Sequence, residues 1–282
     1  MEVALAGLEA FLDRVQQGFP ARVWLATIRT LRVPAIGRKP VVEPTRVGSV
    51  SPAPATAMPL VVAFDVNETL LDMSPMAARF TEVGAPAQLA GTWFAAVLRD
   101  GFALMAAGRS KPFSDVAADD LRVLLHGVRL DRALDAAVEH VMHGFSSLSV
   151  HPDVVAGVEQ MGELGLRLVT LSNGSAQVAA GLLERAGIAD RFERLLSVEQ
   201  AGQWKPAPSS YAYAARECAV EPARMMLVAV HAWDIDGAHR AGLSTAWIDR
   251  TGAPYPAVFS PPAVQAASLV DLAAHLAHRR SP

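Results

Sequence analysis

The sequence predicts an α/β protein: a parallel β-sheet with helices on both faces and a helical cap inserted into it. Three observations carry this. From residue 59 onward, short apolar runs alternate with stretches of helical spacing. Repeated strand–helix units fold as parallel sheets with right-handed crossovers. The alternation also breaks off between the first and second strands, where residues 74–149 hold Ala- and Leu-rich helical patterns and no convincing strand.

The first strand is LVVAFD (60–65), an apolar run that ends abruptly on an acid. RLVTLS (167–172), RLLSV (194–198), MMLVAV (225–230) and STAWID (244–249) follow. Such runs suit strands buried on both faces. VVAGVEQMGELG, GSAQVAAGLLERAG, SYAYAARECAV and DGAHRAGL lie between them and read as helices, several with glycine near the C-terminal end. The expected core is therefore 58–73 together with 150–282, and the expected cap is 74–149. Ligands of such a sheet gather at the carboxyl ends of its strands. Asp65, Ser172 and the turn 230–234 all fall there.

Residues 1–57 do not follow this pattern. MEVALAGLEAFLDRVQQGF has apolar residues at 5, 8, 12 and 15, which suits an amphipathic helix. A Pro-punctuated segment then runs into VGSVSPAPATA, whose composition is that of a linker. We expect a poorly ordered, dispensable N-terminal extension, with a docking or targeting arm as the alternative.

The chain of 282 residues is 51% hydrophobic and 19% charged, the balance of a soluble globular protein with ample material for a core. A net charge of −3 offers no basic face for nucleic acid. The single cysteine, Cys218, excludes a disulfide framework and a thiolate metal cluster, which fits a reducing, cytoplasmic setting. No apolar run approaches the ~20 residues of a membrane span.

Taken alone, Asp65 reads as a turn cap, a metal ligand or a nucleophile. Three other segments narrow this. LSNGS (171–175) ends the second strand with a hydroxyl, an amide and a helix start suited to anions. WKPAPSSY (204–211) supplies Lys205, and HAWDIDGAHRAG (231–242) supplies Asp234 just after the fourth strand.

The order Asp-x-x-x-Thr, Ser-Asn, Lys-Pro, Asp on successive strand ends resembles the haloacid dehalogenase (HAD) superfamily of aspartate-nucleophile hydrolases, over residues 59–279. The resemblance implies a Rossmann-like, HAD-like core with a cap inserted after the first motif. Most of that superfamily are phosphatases, which typically carry a second acid two residues after the nucleophile. That position is Asn67, whose neutral amide cannot give and retake a proton. The phosphatase pattern also places an acid where Val230 stands, and Mg²⁺ requires oxygen ligands. The resemblance is better to the L-2-haloacid dehalogenases: Lys205, Pro206, Pro208 and Tyr211 match Lys-Pro-x-Pro-x-x-Tyr, and Trp233–Asp234 match Trp-Asp.

By that resemblance Asp65 attacks the halogen-bearing carbon of a short 2-haloacid, forms an ester and expels halide, and water held near Asp234 cleaves the ester. Thr69, Lys205, Ser172 and Tyr211 would hold the carboxylates, and Ser172 and Asn173 would bind the substrate carboxylate. No metal, cofactor, nucleic acid or membrane is implied, and a homodimer is the family expectation.

The sequence departs from that branch in the cap, where an Arg follows a Trp: Phe94 occupies the place, with Arg99 further along as a substitute. His231 stands where the branch has an amide, and we expect it to bind halide or help deliver water. Trp93, Phe94 and Phe102 are cap core or pocket wall. A small-molecule phosphatase and a catalytically silent binding module are the alternatives.

Overall fold

The computed structural model describes residues 58–280. The expected extension, 1–57, lies outside them. Six strands form one parallel sheet in the order β3-β2-β1-β4-β5-β6. They are β1 (Val61–Phe64), β2 (Arg167–Ser172), β3 (Phe192–Ser197), β4 (Met225–Ala229), β5 (Ser244–Ile248) and β6 (Val264–Ala266). β1 is central: Val61 pairs with Arg167 on one side and Met225 on the other. Its four residues are fully buried, so the run VVAF needs no polar alternation. The chain winds from β1 through β2 to β3 on one side, then returns to β4 on the other. This reversal beside β1 opens the crevice in which doubly wound sheets bind ligands.

The sixth strand has no counterpart in the sequence reading. It is three residues long with only two buried, too short for a periodic signal, and it exists because β5 offers an edge.

Between β1 and β2 run α1 (Met76–Thr81), α2 (Leu89–Ala106), α3 (Phe113–Leu125), α4 (Leu134–Ser146) and α5 (Val154–Glu163). The first four pack around their own aromatic centre. Trp93 is fully buried, meets Phe145 edge-on at 5.7 Å and Phe80 at 6.1 Å, and donates from Nε1 to the Ala117 carbonyl at 2.9 Å. By length and composition α2 would meet the demands of a membrane span, unlike any run noted in the sequence. Here it turns Trp93, Phe94, Val97 and Gly101 inward.

Entry to and exit from this helical unit lie side by side. Leu71 forms an antiparallel bridge with Val150, Asp72 N–H donates to the Ser149 carbonyl at 2.9 Å, and His151 N–H donates to the Leu70 carbonyl at 2.9 Å.

One short helix and three longer ones complete the core. They are α6 (Ala176–Arg185), α7 (Val198–Ala201), α8 (Pro208–Glu217) and α9 (Ala232–Arg240), with α10 (Leu269–Arg280) closing the chain's described part. α9 begins four residues before the glycine-bearing segment that marks it in the sequence. Trp233 and Asp234 therefore sit in its first turn rather than in a free loop. An acid in a first helical turn is stabilised by the unpaired amides there.

Candidate active site

β1 delivers Asp65 to the crevice, and Asp65 N–H extends the ladder by donating to the Val228 carbonyl at 2.9 Å. The Val66 carbonyl then accepts from both Leu70 and Leu71, closing a tight turn that returns Thr69 to Asp65. Thr69 Oγ1 donates to Asp65 Oδ2 at 2.8 Å and accepts from Val230 N–H at 3.1 Å, stapling the β1 turn to the β4 turn. Val230, at the position where a metal-binding acid would stand, is fixed through its main chain, since Trp247 Nε1 also donates to its carbonyl at 2.8 Å.

Lys205 is fully buried. Its ammonium donates to Asp65 Oδ1 at 3.0 Å and Asp234 Oδ2 at 2.5 Å. Its main chain is clamped by the Asn173 side chain, which accepts from Lys205 N–H at 2.8 Å and donates to its carbonyl at 3.3 Å. Asn173 thus uses its amide oxygen and one amide hydrogen to position the loop that carries Lys205. Ser172 Oγ accepts from Gly174 N–H at 2.9 Å, leaving the hydroxyl proton to give.

Tyr211 holds a carboxylate of the site. It is fully buried and donates to Asp234 Oδ1 at 2.6 Å from behind. Burial, reinforced by Asp234, pushes its phenol well above the ordinary range, so it remains a donor. Asp234, with 0% side-chain exposure, has one oxygen on Lys205 and the other on Tyr211. No face of it is open to water.

His231 bridges two carboxylates. Nδ1 faces Asp65 Oδ2 at 3.1 Å, and Nε2 faces Glu68 Oε2 at 2.8 Å. Glu68 has no place in the sequence reading. Its backbone is left-handed, with φ 61°, a conformation that costs a non-glycine residue energy and collects at functional sites. The turn is pinned by His151, whose Nε2 meets the Glu68 carbonyl at 3.0 Å. The one signal for Glu68 in the sequence is an acid beside Thr69; only the unusual φ aims it at His231.

Tyr211, Asp234, Lys205, Asp65, His231 and Glu68 form one line of donors and acceptors running outward. Side-chain exposure rises along it from 0% at Asp234 and Lys205 to 5% at Asp65, 12% at His231 and 41% at Glu68. Burial would raise the Asp65 carboxyl, but Lys205, then His231 and Thr69, hold it well below the usual carboxylate range. Burial likewise opposes charge on His231, yet its bonds to Asp65 and Glu68 raise it to about 9, making it an imidazolium. Burial also works against the Lys205 ammonium and is outweighed by Asp234 and Asp65, which raise it. Asp234 is pushed up by burial and by Asp65, against Lys205.

Aromatic rings roof the outer end. Trp233 stacks on His231 at 5.0 Å and 30°, and Phe94 of α2 lies over it at 6.4 Å and 28°. Phe102 meets Trp233 at 5.0 Å. Ring faces attract an imidazolium. Of the cap aromatics, Trp93 therefore belongs to the cap interior, while Phe94 and Phe102 form wall.

Arg99 does not join the site. Five residues after Phe94, it points about 140° away around the helix. Its side chain is 69% exposed, and its guanidinium grips Asp100 at 2.6 and 2.8 Å. Asp100 also lines a cavity of about 570 Å³ with Arg109, Lys111 and Asp120, which includes none of the strand-end residues.

Fold and site together define a class, the doubly wound α/β hydrolases built around a strand-end aspartate. Residues 60–242 match the haloacid dehalogenase-like hydrolase family. The chain belongs to that family.

Among its relatives, an (S)-2-haloacid dehalogenase of Pseudomonas sp. (strain YL) is 29% identical over 68% of this chain and 83% of its own. Haloacetate dehalogenase H-2 of Moraxella sp. (strain B) is 25% identical over 68% of this chain and 86% of its own. A crystal structure of an L-2-haloacid dehalogenase superposes with a TM-score of 0.73 at 32% identity, over 78% of this chain and 100% of that one.

Proposed function

We infer that this chain removes halide from short 2-haloalkanoic acids by hydrolysis through an Asp65 ester, giving the 2-hydroxy acid. The carrying observation is the state of Asp65: a nearly buried carboxylate kept ionised by Lys205, His231 and Thr69, at the open end of β1. An ionised carboxylate in a dry site is a competent nucleophile. Its lone pair forms the bond to C2 as the carbon–halogen bond breaks and the pair leaves with halide.

A halide leaving group needs no proton, an alkoxide does. That difference suits Asn67, which has no proton to exchange. Its amide nitrogen instead lies 3.8 Å from where a Cβ on Gly174 would sit. Asn67 and the Ser172 hydroxyl thus border the turn leading into α6, where the substrate carboxylate would bind. The groups on Asp65 are an ammonium and an imidazolium. Such a donor set favours an anionic substrate and repels a hard dication, which wants oxygen ligands.

The test is turnover of 2-chloropropionate, chloroacetate, fluoroacetate and p-nitrophenyl phosphate, each with EDTA and with Mg²⁺. Halide release unaffected by EDTA is expected. Phosphate release that vanishes with EDTA would make the protein a phosphatase, and silence on the whole panel would make it a binding module.

A further inference from the structure

We propose that Glu68 and His231 form the dyad that hydrolyses the Asp65 ester, with His231 Nδ1 as the general base and Glu68 as its positioning residue. This rests on the dehalogenase reading above. Geometry carries it. Asp234 cannot take a proton from water at Asp65: it is sealed behind Lys205 and both oxygens are occupied. His231 lies on the open side, with one ring nitrogen on Asp65 and the other on a carboxylate. Glu68 keeps the proton on Nε2, so Nδ1, the nitrogen facing Asp65, is the one that is freed. Phe94 and Trp233 hold the ring in plane, and the left-handed turn at Glu68 is pinned by His151.

The first step switches the dyad on. In the free enzyme the imidazolium is stabilised by both carboxylates. Alkylation turns Asp65 into a neutral ester, which removes one of the two anionic partners of His231 and lets Nδ1 release its proton to solvent. Neutral His231 then takes a proton from water as the water oxygen bonds to the Asp65 carboxyl carbon. The tetrahedral intermediate collapses with cleavage of the bond from that carbon to the substrate oxygen. The departing alkoxide takes the proton back from His231, and the Asp65 carboxyl returns its own proton to the imidazole. Per turnover one water is consumed, and one hydroxy acid, one halide and one proton leave.

Rapid-quench kinetics on 2-chloropropionate with enzyme in excess tests this, together with intact-protein mass and circular dichroism. His231→Asn, which keeps an amide donor beside Asp65, should release one halide per site and accumulate the ester. Its hydrolysis should fall about 10²–10⁴-fold, the usual contribution of a general base.

Glu68→Gln should slow hydrolysis less and move its acid limb to lower pH, because the lost anion no longer raises the imidazole. The other charged group in contact with His231 among the described residues is Asp65, with Lys205 beyond it. A folded His231→Asn enzyme that hydrolyses the ester at the wild-type rate, or that loses the halide burst itself, overturns the dyad. So does a Glu68→Gln limb that stays in place, and this variant decides the matter if His231→Asn does not fold. Wild-type enzyme that releases no halide from any 2-haloacid refutes the dehalogenase reading instead.

Discussion

His231 should make the folded protein lose stability as pH rises through the weakly alkaline range. Its ordinary value of 6.5 is raised to about 9 in the folded state, by Asp65 and Glu68 against burial. A group whose folded value lies above its unfolded value contributes stability that is fully present below the unfolded value. That stability disappears as pH climbs through the folded one. The window is therefore about pH 6.5 to 9.

Each pK unit corresponds to about 1.4 kcal/mol, so the full shift is about 3 kcal/mol. Glu68 is 41% exposed, and solvent screens its share, which brings the expected loss to about 2–3 kcal/mol. Urea unfolding of the wild type and of His231→Gln at pH 6 and pH 10 gives the answer. Groups such as Cys218 and Lys205 titrate in both proteins, so the difference between the two pH dependences isolates His231. Equal losses in both proteins would refute the reasoning, as would a wild type that gains stability relative to the variant on going alkaline.

Two further perturbations test the buried line and its attachment to the cap. Lys205→Met leaves Asp65 and Asp234 buried without their shared cation, which should cost about 3–5 kcal/mol in urea unfolding and abolish turnover. Adding Asp234→Asn should return part of that stability; a single variant within about 1 kcal/mol of wild type would contradict the charge assignment. Gly101→Ala would put a methyl 2.1–2.6 Å from the Trp204 ring. That ring stacks on Phe113 at 5.8 Å and donates to the Lys111 carbonyl at 2.9 Å, immediately before Lys205. The expected cost is about 1–3 kcal/mol, with slower halide release as Lys205 shifts; unchanged unfolding would show that the contact is slack.

What the residues alone determined was the sheet and the location of its chemistry. Unbroken apolar runs are required where both faces of a strand are covered, and acids or hydroxyls at their ends fall in the crevice whatever the details of packing. Asp65, Ser172 and Asp234 could be named because strand ends are a local property of the sequence, and Thr69 and Lys205 because the order of the motifs resembles that of a known family. Which of them touch, and which face water, is not local. Asn173 and Tyr211 are polar residues of the right kind in the right segments, and only the folded chain spends one on a loop and buries the other behind Asp234.

Arg99 failed as a stand-in because charge and proximity in sequence say nothing of helical phase. Glu68 went unnoticed for the converse reason: its role depends on one backbone angle, set by a hydrogen bond from His151, 83 residues away. Tertiary structure decided the order of charges from Tyr211 out to Glu68. The strength of each interaction there depends on distance and burial, and both arise from segments that meet only when the sheet is assembled.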